Sequence, residues 1–242
     1  MSFSASMITL YPDAFPGPLG VSILDRARRA GLWSLETVDL RTFGLGKHRQ
    51  VDDTPAGGGA GLVLRPDVAA AAIDSLEAGG RPLIYPSPRG IPFHQAMAQD
   101  WALGPGLIVL CGRFEGLDER VIEGRGLIEV SLGDYVLAGG EVAAMAMLEA
   151  TLRLIPGVAG NAASVEDESF SMPGLEYPHY TQPREWEGRG TPDVLTSGDH
   201  KKVAEWRKQQ SQALTKARRP DLYAASPNGP DLRASETDDE HD

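Results

Sequence analysis

The stretch VSLGDYVLAGGEVAAMAMLEATLRLIPG, Val130 to Gly157, decides the reading of the fold. It opens with β-type residues, passes a glycine-bearing loop, Gly133 to Gly140, and runs into a long apolar segment. Glu141 leads Val142, Met145, Leu148, Glu149 and Leu152 at three- and four-residue steps, which predicts a mostly buried helix. Pro156-Gly157 ends it. Two successive glycines at a strand-to-helix turn let a backbone approach a ligand closely, because no Cβ intervenes. The plain alternative is a tight turn with no ligand. No Gly-Lys-Ser/Thr follows the glycines and there is no G-x-G-x-x-G, so neither a Walker loop nor a dinucleotide fingerprint is present.

Upstream, two more strand-like segments run into loops of similar kind. Pro82 to Tyr85 leads to Pro86-Ser87-Pro88-Arg89-Gly90, and Leu107 to Cys111 leads to Gly112-Arg113-Phe114-Glu115-Gly116. Leu127 to Ser131 is the strand before the glycine loop. Helical stretches at Phe93 to Ala102 and Leu117 to Ile122 separate them. Alternating strands and helices predict an α/β fold with a mostly parallel sheet. Ligands of such sheets bind beyond the carboxyl ends of strands, so the three loops are expected to converge on one site. Nearer the start, Ser6 to Leu10 and Leu35 to Leu40 read as strands, with an amphipathic helix at Gly20 to Leu32 between them. Phe43 to Leu64 has no period and many glycines, which marks a functional or mobile loop. Pro66 to Leu76 is an alanine-rich helix.

The chain has 242 residues and a formal net charge of -11, which argues against non-specific nucleic-acid binding by the whole surface. The charge is uneven. Asp199 to Tyr223 is basic, with Lys201, Lys202, Arg207, Lys208, Lys216, Arg218 and Arg219, and Val203 to Leu214 has helix spacing. Ser226 to the end is acidic, poor in apolar groups and expected to be disordered. Val158 to Pro192 is polar and aperiodic and reads as a linker. The resulting organisation is a domain over 1–157, a linker over 158–192, a small helical domain over 193–225 and an acidic tail over 226–242. No apolar run approaches the roughly 18 residues of a membrane span. No secretory signal is evident at the N-terminus. A single cysteine, Cys111, rules out an internal disulfide and fits a reducing cytoplasm. It sits in an apolar strand and reads as core rather than nucleophile.

Four motifs, in order, carry a resemblance: HRQVDDTPAGGGAG (His48 to Gly61), CGRFEGLDERV (Cys111 to Val121), SLGDYVLAGGE (Ser131 to Glu141) and IPGVAGNAASVEDESF (Ile155 to Phe170). PHYTQP and SGDHKKVAEWR extend it to Arg207. The chain resembles the bacterial tRNA (guanine-37-N1)-methyltransferases, within the SPOUT, or trefoil-knot, class. The resemblance implies a deep trefoil knot, which base rates alone would never suggest. It implies S-adenosylmethionine held in a bent shape by Tyr85, Pro86, Ser87, Pro88, Gly112, Glu115, Leu132, Gly133, Asp134, Tyr135, Val136, Leu137, Gly139 and Gly140. It also implies a homodimer with shared active sites and the tRNA anticodon stem-loop as partner. The target guanosine would be met by His48, Arg49, Asp52, Asp53 and Gly57 to Gly61, with Gly58 and Gly59 at the centre. The stem would be gripped through phosphates by Lys201, Lys202, Arg207 and Lys208. The flipped base would sit in a pocket between subunits.

Guanine N1 carries a proton in the neutral base, so a general base must reach it before it can attack a methyl donor. The family uses an Asp in a D-S-F motif. Here Glu168 stands in that register, one residue after Asp167, and Glu168 is the favoured base. Negative charge then develops on O6, where a fixed cation stabilises the transition state. Arg153 matches the family's catalytic arginine; otherwise it is a helix-terminal arginine facing the dipole. The family is magnesium-dependent, yet no metal-cage spacing occurs, so no dedicated metal site is expected. Three departures stand out: Ala56 for a common tyrosine, Ala60 for a common proline, and Gln182 for an arginine. His179 and His200 match family positions without a chemical role. Two other readings compete. A knotted methyltransferase acting on another RNA position would not need an acidic base if it methylated ribose. A tRNA-binding SPOUT protein with weakened catalysis would explain Glu168 in place of Asp.

Overall fold

The computed structural model describes residues 2–160, 168–170 and 174–224. The chain divides into two compact units, Met1–Gly160 and Asn161–Asp242. The first unit is built on seven strands and five helices. They are β1 (Phe3–Thr9), α1 (Ser22–Arg29), β2 (Trp33–Asp39), β3 (Asp52–Asp53), β4 (Val63–Leu64), α2 (Pro66–Asp74), β5 (Leu83–Pro92), α3 (Gln95–Ala102), β6 (Gly106–Leu110), α4 (Glu119–Arg125), β7 (Ile128–Ser131) and α5 (Gly140–Leu152). Five strands form one sheet in the order β2-β1-β6-β5-β7. Every neighbouring pair in it is parallel. The α/β class with a parallel sheet is therefore as the strand–helix alternation predicts.

A parallel sheet is covered on both faces, so its strands need apolar side chains in both directions. β1 and β6 have them. Phe3, Ala5, Met7, Leu107, Val109 and Cys111 enter one core with residues of α1 and α5, among them Leu24, Ala27, Met147 and Leu148. Ile8, Leu10, Ile108 and Leu110 enter the other with Val68 and Ala72 of α2 and Val121 and Ile122 of α4. Trp33 is buried in the first core and its indole N–H donates to Leu24 O at 2.9 Å. Cys111 is fully buried and burial pushes its thiol pKa up, which suits a core residue.

Two elements differ from their sequence-based expectation. The strand expected to stop at Tyr85 runs on to Pro92. Its pairing with β7 shifts register between Pro86 and Ile91, so residues 87–90 bulge out of the sheet. Pro86 and Pro88 lack the N–H a regular ladder needs, which both disguises the strand and forces the irregularity. The aperiodic segment 43–64 contains a short antiparallel pairing, Asp52 with Leu64 and Asp53 with Val63. Two-residue strands are too short to leave a period.

In the second unit a hairpin pairs Glu185–Trp186 with Arg189–Gly190. The long helix is His200–Arg218, longer than its apolar spacing suggests. Asp199 caps it, accepting from the backbone N–H of Lys201 and Lys202 at 3.1 Å each. Buried Thr215 takes a bond from Leu175 N at 2.9 Å and gives one to Ser211 O at 2.7 Å. No helix among the described residues is long and apolar enough to cross a membrane. The tail from Ser226 lies outside the described residues.

Candidate active site

The bulged stretch of β5 around residues 87–90 and the loops after β6 and β7 enclose a cavity of about 410 Å³. Its lining includes Tyr85, Pro86, Ser87, Pro88, Gly112, Glu115, Leu132, Gly133, Tyr135, Val136, Leu137, Gly139 and Gly140. Asp134 belongs to the same loop but is exposed and is not part of the lining. The turn at Gly133 explains this. Tyr135 N donates to Gly133 O at 2.9 Å, and the Ser131 hydroxyl donates to the same oxygen at 3.1 Å. Tyr135 thus folds back over Gly133, where a Cβ would stand 2.7 Å from the ring, and Asp134 is left at the apex.

The walls are close-fitted. A Cβ on Gly112 would stand 2.7 Å from the Tyr85 ring, so only glycine lets that ring lie against the loop. Tyr85 is buried, and desolvation, with the Glu129 charge behind it, raises its phenol pKa. It therefore stays protonated and can donate. Gly140 N donates to Gly112 O at 2.9 Å and heads α5 without any side-chain cap. A Cβ on Gly140 would meet Gly112 N at 2.9 Å and Cys111 Cα at 3.0 Å. A Cβ on Gly139 would fall 2.3 Å from Arg113 Nε. The glycine pair is thus demanded by protein packing at its back, besides facing the cavity.

Arg89, Arg113, Phe114 and Ala138 also line the cavity; they lie in the segments expected to converge there but not among the contacts carried over from the family, and Ala143 of α5 is in neither. Arg89 pairs with Glu129 at 2.8 Å and with Glu119. Phe114 is half exposed with φ +60°, a left-handed conformation that bulky side chains rarely adopt. The motif around it carries the arginine and the aromatic in plain sight, but nothing in their spacing says which way they point.

The loop 44–61 is separate in construction. Leu45 and Gln50 exchange backbone bonds of 2.9 Å, and Arg49, with φ +50°, turns back on Gly46. His48 and Arg49 are exposed. Asp53 pairs with Arg65 at 3.0 Å. Gly58, at φ +82°, has open space where a Cβ would be, and Gly59, at φ +127°, nearly so. The base of this loop rests on the cavity wall: Glu115 N donates to Leu62 O and Leu64 N to Gly116 O, each at 2.9 Å.

Arg153 follows the last turn of α5 and its N–H donates to Glu149 O at 3.2 Å. Glu168 belongs to the second unit, and Asp167 lies outside the described residues. In that unit Arg207 lies over the Tyr177 ring at 4.7 Å, and Tyr177 packs on His179 at 5.0 Å. Lys202 Nζ is 3.4 Å from Asp199 Oδ2; Lys201 and Lys208 are exposed. Among the described residues, no group of three or more His, Cys, Asp or Glu is placed to hold a metal ion.

The cavity is walled by glycine-bearing backbone at one end of a parallel sheet. The family described as tRNA (Guanine-1)-methyltransferase TrmD matches residues 2–225. The chain belongs to this family. Its relatives cover it nearly end to end. The tRNA (guanine-N(1)-)-methyltransferase of Mesorhizobium japonicum is 58% identical over 229 residues, 94% of this chain and 99% of the relative. Those of Rhodopseudomonas palustris (strain TIE-1) and Ruegeria pomeroyi are 59% and 60% identical, covering 94% and 91% of this chain and 92% of each relative. The resemblance carried by the four motifs is therefore family membership, and the chain is an enzyme of the methyltransferase kind.

Proposed function

We propose that the chain methylates N1 of guanosine 37 in tRNA, next to the anticodon, with S-adenosylmethionine bound in the cavity of the first unit. The observation that carries this is the convergence of the β5 bulge and the loops after β6 and β7, at the residues matching the family's cofactor motifs, on one concave site. The residues suit that cofactor. About 410 Å³ is within the range of small-molecule sites. Tyr85, Pro86, Pro88 and Leu137 supply apolar wall, the Leu132–Gly140 backbone supplies amide donors and acceptors, and the Glu115 carboxylate complements a sulfonium cation. When bound, the cofactor supplies an electrophilic methyl group. The chain's own task is to bring the guanine to it and to take the N1 proton.

In this reading Glu168 accepts that proton and Arg153 offsets the charge developing on O6. Glutamate is as competent a carboxylate base as aspartate, with one more methylene of reach. The exposed loop at His48, Arg49, Asp53, Gly58 and Gly59 receives the target nucleotide. Lys201, Lys202, Arg207 and Lys208 hold the anticodon stem. The domain organisation 1–157, 158–192, 193–225 and 226–242, a trefoil knot at the cavity loops and a homodimer with shared sites complete the reading, with action in the cytoplasm. No dedicated magnesium site is proposed.

The test is methyl transfer from labelled S-adenosylmethionine to tRNA transcripts carrying guanosine or adenosine at position 37. Transfer is expected only with guanosine, and Glu168→Gln is expected to lower it by about a hundredfold or more, the usual weight of a positioned base. Loss in Asp167→Asn alone moves the base by one residue. Cofactor binding without transfer to either transcript selects the second reading, a tRNA-binding member with weakened catalysis, which Glu168 in place of the family's aspartate favours.

A further inference from the structure

We propose that Arg113 and Glu141 are a positioning pair that holds the cavity loop 134–140 in its ligand-receiving shape. The inference rests on the cavity being the cofactor site. Glu141 lies in the first turn of α5 and its side chain is 3% exposed. Its Oε1 accepts from the Thr9 hydroxyl at 2.8 Å and from Arg113 Nε at 3.2 Å. Arg113 Nη2 stands 2.8 Å from Oε2 as an ion pair, but not along a hydrogen-bond direction, so Oε2 is buried without an aligned donor among the described residues. The remaining arm of the guanidinium, Nη1, donates to Ala138 O at 3.2 Å. One face of Arg113 lies over the Tyr11 ring at 4.4 Å, and Tyr11 N is itself bonded to the Thr9 hydroxyl at 2.9 Å. The guanidinium also fills the space beside Gly139.

One arginine thus ties the end of β1, the start of α5 and the cavity loop together. Burying a carboxylate is costly, and an ion pair in that position stabilises a fold little more than an apolar pair of equal volume. An apolar pair cannot supply the directed bond to the Ala138 carbonyl on the cavity wall. The tie therefore sets the loop's shape, which the ligand would otherwise have to impose at the expense of its own affinity. If the loop without its tie holds the receptive shape about one tenth of the time, the apparent dissociation constant rises about tenfold.

The experiment compares the full-length wild type with R113M/E141L, which removes both charges together, and with R113K, which keeps a charge opposite Glu141 but presents one donor nitrogen instead of a fork. Each is titrated with S-adenosylhomocysteine, melted, and assayed over a range of S-adenosylmethionine. The double variant is expected to melt near the wild type yet bind about tenfold more weakly. Its KM for the cofactor should rise by that factor, while kcat at saturation falls less than about threefold. R113K should lie between. A folded double variant with wild-type affinity overturns the proposal. If the double variant does not fold, R113K decides: weakened binding with an unchanged melt supports the tie, and unchanged binding overturns it. Failure of the wild type to bind the cofactor product would instead remove the cofactor reading of the cavity and this inference with it.

Discussion

The loop 133–140 and the loop 44–61 are both rich in glycine, but their glycines face different neighbours. At Gly139 and Gly140 a Cβ would run into the Arg113 guanidinium and into the backbone of Cys111 and Gly112. At Gly57 and Gly58 it would meet nothing within 4 Å. The first loop needs glycine because protein is packed against it from behind. The second is packed in the same way at its base, at Gly44 and Gly61, but at its tip needs glycine because its backbone adopts φ of +90°, +82° and +127° at residues 57 to 59. The first loop is held from behind by the Gly140 N–H bond to Gly112 O and by the Arg113 guanidinium. The second loop is anchored at its base, against Glu115 and Gly116, and open at its tip.

The contrast can be broken most directly at Gly140. Gly140→Ala places a methyl against backbone that cannot give way, so a loss of about 2–3 kcal/mol in urea unfolding is expected, as for an overpacked core. Cofactor-product affinity should fall as well, by about tenfold or more, because the displaced wall no longer holds its receptive shape. Wild-type stability and affinity in that variant would mean the loops are not locked together. Gly58→Ala is the matching change in the open loop. Its cost is strain alone, about 1 kcal/mol for a left-handed alanine, and calorimetric titration should show cofactor-product affinity unchanged while tRNA affinity falls. Equal effects on both ligands would show that the two loops act as one.

The smallest effect is expected for an exposed tie set beside the buried one. Arg125 and Asp74 meet through two bonds of 2.7 Å, but both are solvent-exposed. The hydrogen bond from Arg125 lowers the Asp74 pKa below its ordinary value. A lowered folded-state pKa stabilises the fold above the unfolded value, about 3.9, and that contribution is lost as pH falls through the folded value. Asp74→Asn should therefore melt slightly below the wild type at neutral pH, with the difference vanishing as the solution is acidified past that range. A large difference at neutral pH would mean that exposure is not what separates weak ties from strong ones in this chain.

Much of the site was legible in the sequence. Strands of Val, Ile and Leu alternating with helices place the loops after β6 and β7 at one end of a parallel sheet, and the segment expected to be a third loop is there as the bulge of β5. The family motifs then single out the residues of those loops, and all but Asp134 line the cavity. What was not legible involves direction or distance in the chain. Pro86 and Pro88 read as the end of a strand, yet the strand resumes at Ile91 after a bulge, because loss of two N–H donors interrupts a ladder without ending it. Asp134 sits between lining residues but is turned outward by the bond from Tyr135 N to Gly133 O. Arg113 and Phe114 stood in a loop expected at the site, but no role followed from their spacing.

By itself the sequence determined the α/β class, the family and the identity of the loops, since periodicity and motif order are local properties of the chain. The meeting of Thr9, Arg113, Ala138 and Glu141 was decided by tertiary structure alone. Those residues are up to 132 positions apart, and their contacts exist only once β1, the 112–116 loop and α5 are packed around one buried carboxylate.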